Sequence, residues 1–544
     1  MRASLKLVGP ATDAHDAADD AAPVVARERS LLRFITCGSV DDGKSTLLGR
    51  LLFETGAVFD DQMEALDRDS ARFGTTGGDL DFALLVDGLA AEREQGITID
   101  VAYRYFSTDK RAFIAADTPG HEQYTRNMAT GASTADVAII LVDARKGLLP
   151  QTRRHSYIVS MLGVRRVIVA VNKIDLVDYD EQTFRKIERD YRALATSLGF
   201  VETHVIPVSA RFGDNVATPS DKTPWRSGPS LLALLETIAV APTGDSEFRL
   251  PIQWINRPNL DFRGFSGTIA SGAVAVGDTV VALPRSRTTR IARILGPSGD
   301  QGRAGAGEAV TLTLADEIDL SRGDVLVHAE SLTKPRRQFQ ARLLALGETP
   351  VTPGRAYLVK IGTAVTAARI IALHHTVDVH DYRTIPAAAL EMNGIGLATL
   401  RLETDVVAAD YAACQPLGGI LLIDPHSNDT VALGVVEADA ASRADRPRAG
   451  DGIVVALARF GLVSRDTTFG ELRRRAIDAA ANAGLTGLIA SAATRDAELT
   501  LVATCADLVL RPLLDAALGH LRSWIAMRRQ DRREAGLSLD GGGI

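Results

Sequence analysis

The eight residues Gly38-Ser39-Val40-Asp41-Asp42-Gly43-Lys44-Ser45 match the pattern G-x-x-x-x-G-K-[ST]. Glycine lets the backbone turn tightly, so that several N–H groups converge on one anion. At this spacing the Lys44 ammonium reaches the outer phosphates of a nucleoside triphosphate, and the Ser45 hydroxyl is placed to ligate magnesium. Thr46 completes the cradle at the start of a helix, whose positive dipole end favours the same anion. A glycine-rich turn with a chance lysine would look alike in isolation, so context decides. The apolar run Leu31 to Cys37 predicts a strand before the loop, and Thr46-Leu47-Leu48-Gly49-Arg50-Leu51-Leu52 predicts a helix after it.

Four further segments supply the rest of a nucleotide switch. In Asp117-Thr118-Pro119-Gly120-His121 the Asp117 carboxylate suits magnesium from its second shell or through water. The Gly120 N–H can meet a γ-phosphate and is released when that phosphate is hydrolysed, and His121 is placed to orient the attacking water. In Arg93-Glu94-Gln95-Gly96-Ile97-Thr98-Ile99 the Thr98 hydroxyl can join Ser45 and Asp117 around the metal, although Ile97 and Ile99 read equally as the start of a strand. In Asn172-Lys173-Ile174-Asp175 the Asp175 carboxylate can accept from N1–H and the 2-amino group of guanine. Adenine offers neither donor, and an unmatched buried carboxylate opposes it. Lys173 can lay its stem along the base and Asn172 can tie the loops together. In Ser209-Ala210-Arg211 the Ala210 N–H can donate to guanine O6. The five segments in this order predict a GTPase, with Lys44, Thr98 and His121 as catalytic candidates and Ser45, Thr98 and Asp117 as metal ligands.

These residues must be held at the ends of strands. Apolar runs at Phe34–Cys37, Ala112–Asp117, Val137–Val142, Val167–Asn172 and Thr203–Val208 alternate with helical patterns, among them Thr125–Thr130, Thr152–Leu162 and Phe184–Leu198. That rhythm predicts a parallel, doubly wound sheet with its ligand at the carboxyl ends of the strands. Every motif except the Thr98 segment falls at such an end. Near Pro242-Thr243-Gly244-Asp245 the helical period disappears. Short β runs with Gly-rich turns follow, and a second β block opens at Gln338, beyond Lys334-Pro335-Arg336-Arg337. Each block predicts a small β-barrel. Asp439–Arg448 reads as a tether. A strand (Ile453–Ala458), helices (Phe469–Ala483 and about Leu513–Met527) and a hairpin (Gly487–Thr504) are expected beyond it. The chain is therefore expected to be multi-domain: a leader (1–28), an α/β phosphate-loop GTPase domain (29–243), two β-barrels (244–336 and 337–440) and a small α/β extension (441–544) without a second phosphate loop.

The bulk numbers agree. A chain of 544 residues implies several domains at roughly 100–200 residues each, and 46% hydrophobic with 24% charged residues is ordinary for a globular protein. A net charge of −7 weighs mildly against a nucleic-acid partner. Cys37, Cys414 and Cys505 are too far apart in sequence to suggest a pair or a metal site, which points to a reducing compartment. The sequence has no run long and apolar enough for a membrane span, and the leader lacks a signal pattern. A cytoplasmic location is expected.

Asp117-Thr118-Pro119-Gly120-His121 with Gly96-Ile97-Thr98-Ile99, followed by two barrels, resembles the translational GTPases typified by elongation factors Tu and 1-alpha. A closer resemblance is to the large, GTPase subunit of the bacterial heterodimeric sulfate adenylyltransferase. It is carried by Asp81-Phe82-Ala83-Leu84-Leu85-Val86-Asp87-Gly88-Leu89, His121-Glu122-Gln123-Tyr124-Thr125-Arg126-Asn127-Met128, Gln253-Trp254-Ile255-Asn256-Arg257-Pro258-Asn259 and Leu390-Glu391-Met392-Asn393-Gly394-Ile395-Gly396, and it runs from about Leu31 to Val436. The resemblance implies magnesium and GTP in this chain and a small ATP-binding partner subunit that joins ATP and sulfate into adenosine 5′-phosphosulfate and diphosphate. GTP hydrolysis would drive that uphill step, with the switch loops at Gly88–Thr98 and Gly120–Gly131 as the partner surface. Some family members carry an adenylylsulfate kinase at the C-terminus; residues 440–544 show no motif for it. The alternative is a translation factor that delivers aminoacyl-tRNA.

Overall fold

The computed structural model describes residues 30–74, 80–86, 92, 98–240, 247–259 and 261–437. The expected leader, switch residues Asp87–Ala91 and Arg93–Ile97, and the tether and extension from 438 onward lie outside the described residues.

The apolar runs between the motifs form strands because their β-branched residues can bury both faces. In chain order the elements are β1 (Ser30–Cys37), α1 (Lys44–Glu54), α2 (Asp60–Phe73), β2 (Ala102–Ser107), β3 (Arg111–Asp117), α3 (Thr125–Ala132), β4 (Val137–Asp143), α4 (Pro150–Met161), β5 (Arg166–Asn172), α5 (Glu181–Leu198), β6 (Glu202–Pro207) and α6 (Leu231–Thr237). They build a six-stranded sheet in the order β2-β3-β1-β4-β5-β6. Every residue of β4, at the centre, is buried. Alternate side chains feed two cores. Ile35, Ile140 and Val142 pack with residues of α3, α4 and α5, while Phe34, Ile139 and Leu141 pack with residues of α1 and α6. Local chemistry sets the helix ends: the Asp180 carboxylate accepts from the Thr183 N–H at 2.8 Å to start α5, and Gly199 at φ 70° closes it.

One strand departs from the all-parallel expectation. β2 runs antiparallel to β3 at the sheet edge. Only Thr108–Lys110 joins them, too short for a crossover and long enough for a hairpin. The strand also begins later than the Ile97–Ile99 reading suggests. The reversal explains how the Thr98 segment reaches the site: Ala102 stands opposite Asp117, so the start of β2 lies beside the carboxyl end of β3.

Both β blocks roll up. In the first, the ladder runs from Arg249–Pro251 through strands 325–328, 279–283, 287–296, 309–314 and 264–268 to Trp254–Asn256. Its two end strands are joined by Ile252-Gln253, so the chain itself brings the open edges together. The second is a closed six-stranded barrel, because Ala356–Ile361 pairs with both Gly419–Ile423 and Ala364–Val377. Everything described through residue 437 belongs to one compact unit. Leu344, Val377, Ile395, Tyr411 and Val435 of the second barrel join the core on the α4 side of the sheet. The Tyr382 hydroxyl donates to the Arg153 carbonyl at 2.8 Å and the Tyr411 hydroxyl to the Leu162 carbonyl at 3.1 Å.

Candidate functional site

The carboxyl ends of the parallel strands open on a cleft of about 610 Å³, within the usual size range of a ligand pocket. Of the residues singled out in the sequence, Val40, Asp41, Gly43, Lys44, Ser45, Thr46, Thr98, Gly120, His121, Asn172, Lys173, Asp175, Ala210 and Arg211 line it.

The phosphate loop is held in shape from behind. The Asp42 carboxylate accepts from the Ser39 N–H at 2.6 Å, and Nδ1 of buried His155, on α4, accepts from the Gly38 N–H at 3.2 Å. Those two N–H groups are thus committed within the protein, and the anion-facing donors are the later ones, at the start of α1. Gly43 begins that helix at φ 90° with no side-chain cap, and a Cβ there would stand 2.5 Å from Asn172 Nδ2. Lys44 Nζ donates to the Ser39 carbonyl at 2.8 Å and lies against the loop. Gly120 packs so closely on it that a Cβ would meet the Ser39 backbone at 2.7 Å. Burial pushes the Lys44 ammonium below its ordinary range, while the charges of Asp117 and Asp42 oppose the shift. Burial raises Asp42 to about 6 against the pull of Lys44, and it holds His155 neutral by lowering it to about 3.

A set of hard oxygen donors sits beside Lys44. The Ser45 hydroxyl donates to Asp117 Oδ2 at 2.7 Å and lies 3.2 Å from Thr98 Oγ1. The Thr36 hydroxyl donates to Asp117 Oδ1 at 2.6 Å. One carboxylate with two hydroxyls fits magnesium, which prefers oxygen and keeps several waters. Among the described residues no cluster of three or more His, Cys, Asp or Glu could hold a metal. Thr98 is fixed by neighbours that the sequence reading missed: buried Glu92 accepts from the Ile99 N–H at 2.9 Å, and Asn127 Nδ2 donates to the Ile99 carbonyl at 2.8 Å.

At the other end of the cleft, Asn172 Nδ2 donates to the Asp42 carbonyl at 2.8 Å and its Oδ1 accepts from the Ala210 N–H at 3.0 Å. The tie between loops assigned to Asn172 is therefore present. It engages the Ala210 N–H that the sequence reading directed at guanine O6. Lys173, in the left-handed region at φ 60°, donates from Nζ to the Asp41 carbonyl. Asp175 sits in the 3-10 turn Ile174–Val177.

Several predicted residues stand outside the cleft lining. Ile174 is fully buried in the core, because an apolar side chain between two polar ones turns inward. Thr118 is buried and donates to the Thr36 carbonyl at 2.6 Å. Gly38, Ser39, Asp42, Asp117, Pro119 and Ser209 lie in the layer behind the lining. His121 is exposed; its Nδ1 accepts the Gln123 N–H at 3.3 Å, so the ring caps the 3-10 turn Glu122–Tyr124. That turn touches the second barrel, where Asn393 Nδ2 donates to the Glu122 carbonyl at 3.0 Å. Asp143, Arg145 and Lys146, at and after the end of β4, were not anticipated. Arg145 and Lys146 line the cleft.

The sheet, the phosphate loop and the two barrels define a GTP-binding protein of the translation-factor type. The family model of the elongation factor Tu GTP binding domain matches residues 29–243, and that of the GTP-eEF1A C-terminal domain-like family matches residues 338–437. Sulfate adenylyltransferase subunit 1 of Chromobacterium violaceum is 56% identical over 412 residues, covering 75% of this chain and 86% of that one. The protein of the same name from Aliivibrio fischeri is 53% identical with the same coverage. The bifunctional enzyme NodQ of a Rhizobium species is 52% identical over 410 residues, 75% of this chain and 64% of that one. The chain belongs to the sulfate adenylyltransferase subunit 1 family. Among the described residues no helix is long and apolar enough to cross a membrane.

Proposed function

We propose that this chain hydrolyses GTP with the help of magnesium and couples the hydrolysis to adenylation of sulfate by ATP on a small ATP-binding partner subunit, in the cytoplasm. The observation that carries the reading is the single cleft that has Lys44, Ser45 and Thr98 at one end and Asp175 at the other. Residues 29–243 form the hydrolytic domain, 244–336 and 337–440 the two barrels, and 441–544 a C-terminal extension to which no role is assigned.

The phosphates lie on the N–H groups at the start of α1, where the helix dipole and Lys44 stabilise the charge that develops on the transferred group. Ser45 and Thr98 would hold magnesium, with Asp117 beside them, and the bound ion would supply positive charge to the phosphates. Gly120 senses the γ-phosphate, since nothing larger fits between that chain segment and the phosphate loop. Because His121 Nδ1 is used as an acceptor, a neutral ring carries its proton on Nε2. It then orients the attacking water as a donor and does not take its proton. Asp175 selects guanine, Lys173 and Arg211 flank the base, and the Ala210 N–H, which already donates to Asn172 Oδ1, is shared with O6 when guanine binds. The Asn393–Glu122 contact gives the switch a path to the second barrel. Coupling needs a partner that binds one nucleotide state better than the other.

The relatives above 50% identity favour this reading over delivery of aminoacyl-tRNA. The test is diphosphate release from ATP and sulfate by this chain together with an active small subunit. Release is expected to rise with GTP and to lose that rise in Lys44→Ala. Equal release with and without GTP would reject the coupling.

A further inference from the structure

The end of β4 carries a buried carboxylate that no part of the mechanism above uses. Asp143 stands beside Asn172 in the parallel β4–β5 ladder, so its side chain emerges where the Asn172-Lys173 loop begins. The side chain is wholly buried. Four donors converge on it. Oδ1 accepts from the Arg145 N–H at 3.0 Å and from Arg145 Nε at 3.0 Å; Oδ2 accepts from the second arm of the Arg145 guanidinium at 2.6 Å and lies 3.3 Å from Lys173 Nζ. Burial alone would raise its titration, but the Arg145 hydrogen bonds and the Lys173 charge outweigh burial and hold it at about 2.

Lys173 is the residue that this carboxylate constrains. It occupies a left-handed backbone conformation that L residues adopt at some cost. Its ammonium is pinned at two points, the Asp41 carbonyl of the phosphate loop and Asp143 Oδ2. A long flexible side chain held at its tip leaves its methylene stem as a fixed wall of the cleft. Arg145 grips Asp143 through two prongs and thereby keeps the carboxylate turned towards Lys173.

We propose that Asp143, oriented by Arg145, is a positioning residue for nucleobase binding: it fixes the Lys173 stem against which guanine rests and has no part in holding the phosphates. The inference rests on the GTP-binding reading of the cleft.

The experiment is isothermal titration of the full chain with two probes, GTP and inorganic tripolyphosphate, each with magnesium. Tripolyphosphate engages the phosphate loop but has no base. Asp143→Asn keeps the size of the side chain and removes its charge. It is expected to weaken GTP about tenfold, the usual effect of losing a charged hydrogen bond, and to leave tripolyphosphate within about twofold of wild type. Lys173→Ala is expected to weaken GTP similarly, and the double variant no further than Lys173→Ala alone, because Asp143 acts through Lys173. Equal losses for both probes would mean that Asp143 merely supports the loop, and would overturn the proposal. Unchanged GTP binding in Asp143→Asn, or losses that multiply in the double variant, would overturn it too. Failure of the wild-type chain to bind GTP at all would instead strike at the reading of the cleft.

Discussion

Asn172→Ala isolates the joint on which the two ends of the cleft depend. Asn172 is 2% exposed and bridges the Asp42 carbonyl to the Ala210 N–H. Both partner residues are themselves buried, at 1% and 2% exposure. Truncation removes both bonds and leaves a carbonyl and an N–H without their partners. Each unmade buried bond costs about 1–3 kcal/mol, and water entering from the cleft offsets part of that, so a loss of about 2–4 kcal/mol is expected locally. The appropriate assay is local as well, because a multi-domain chain has no single unfolding free energy. Amide hydrogen exchange read on the segments around Asp42 and Ala210 should accelerate by about 30- to 1,000-fold. GTP affinity should fall less, by about tenfold, since a bound base supplies O6 to the Ala210 N–H and restores one of the two bonds. Wild-type exchange in both segments would refute the reasoning. So would a GTP affinity that collapses while exchange stays unchanged, because that would make Asn172 a ligand contact and not a tie.

Asp175→Asn reverses the donor and acceptor pattern offered to the base. Preference should move from GTP to xanthosine triphosphate, with GTP weakened on the order of 100-fold; nucleotide titration that still favours GTP would contradict the role of Asp175. Asp42→Asn should stabilise the phosphate loop by an amount that depends on pH. The folded carboxyl titrates at about 6 against an ordinary aspartate value of 3.8, so the folded chain binds more protons than the unfolded chain between those values. The wild type therefore loses stability as pH rises through that window and keeps the penalty above it, at most about 3 kcal/mol. The gain in amide-exchange protection of the phosphate loop in Asp42→Asn over wild type, compared at each pH, should grow from about pH 4 to 6 and then stay level; a gain independent of pH would show that Asp42 is not the titrating group.

How legible the site was depends on how local its determinants are. The strands before Gly38, Asp117, Asn172 and Ser209 could be read because a continuous apolar run followed by a chemically committed loop leaves few alternatives. The same rule pointed at the carboxyl end of β4. There Asp143-Ala144-Arg145 matches no short motif, and its importance comes from a neighbour in the ladder, not in the chain. Glu92 and Asn127 escaped for the same reason: each holds the backbone at Ile99 from a distance in sequence. Ile174, Thr118 and Ser39 went the other way. Lying within a motif made them look like ligand contacts, and packing turned them into the layer behind the lining.

The amino-acid order by itself determined which chemistry is on offer: an anion cradle whose glycines accept a turn that larger residues resist, a lysine and a hydroxyl at the start of a helix, and a carboxylate suited to one purine. Those properties reside in side-chain type and near-neighbour spacing. Only the tertiary structure decided which donors remain for a ligand, because Asp42 and His155 take the first two N–H groups of the loop and Asn172 has a share in that of Ala210. It also decided that the strand after Thr98 runs backwards along the sheet edge, and that the turn after His121 rests on Asn393, 271 residues further on. Such pairings depend on which surfaces meet when the layers close.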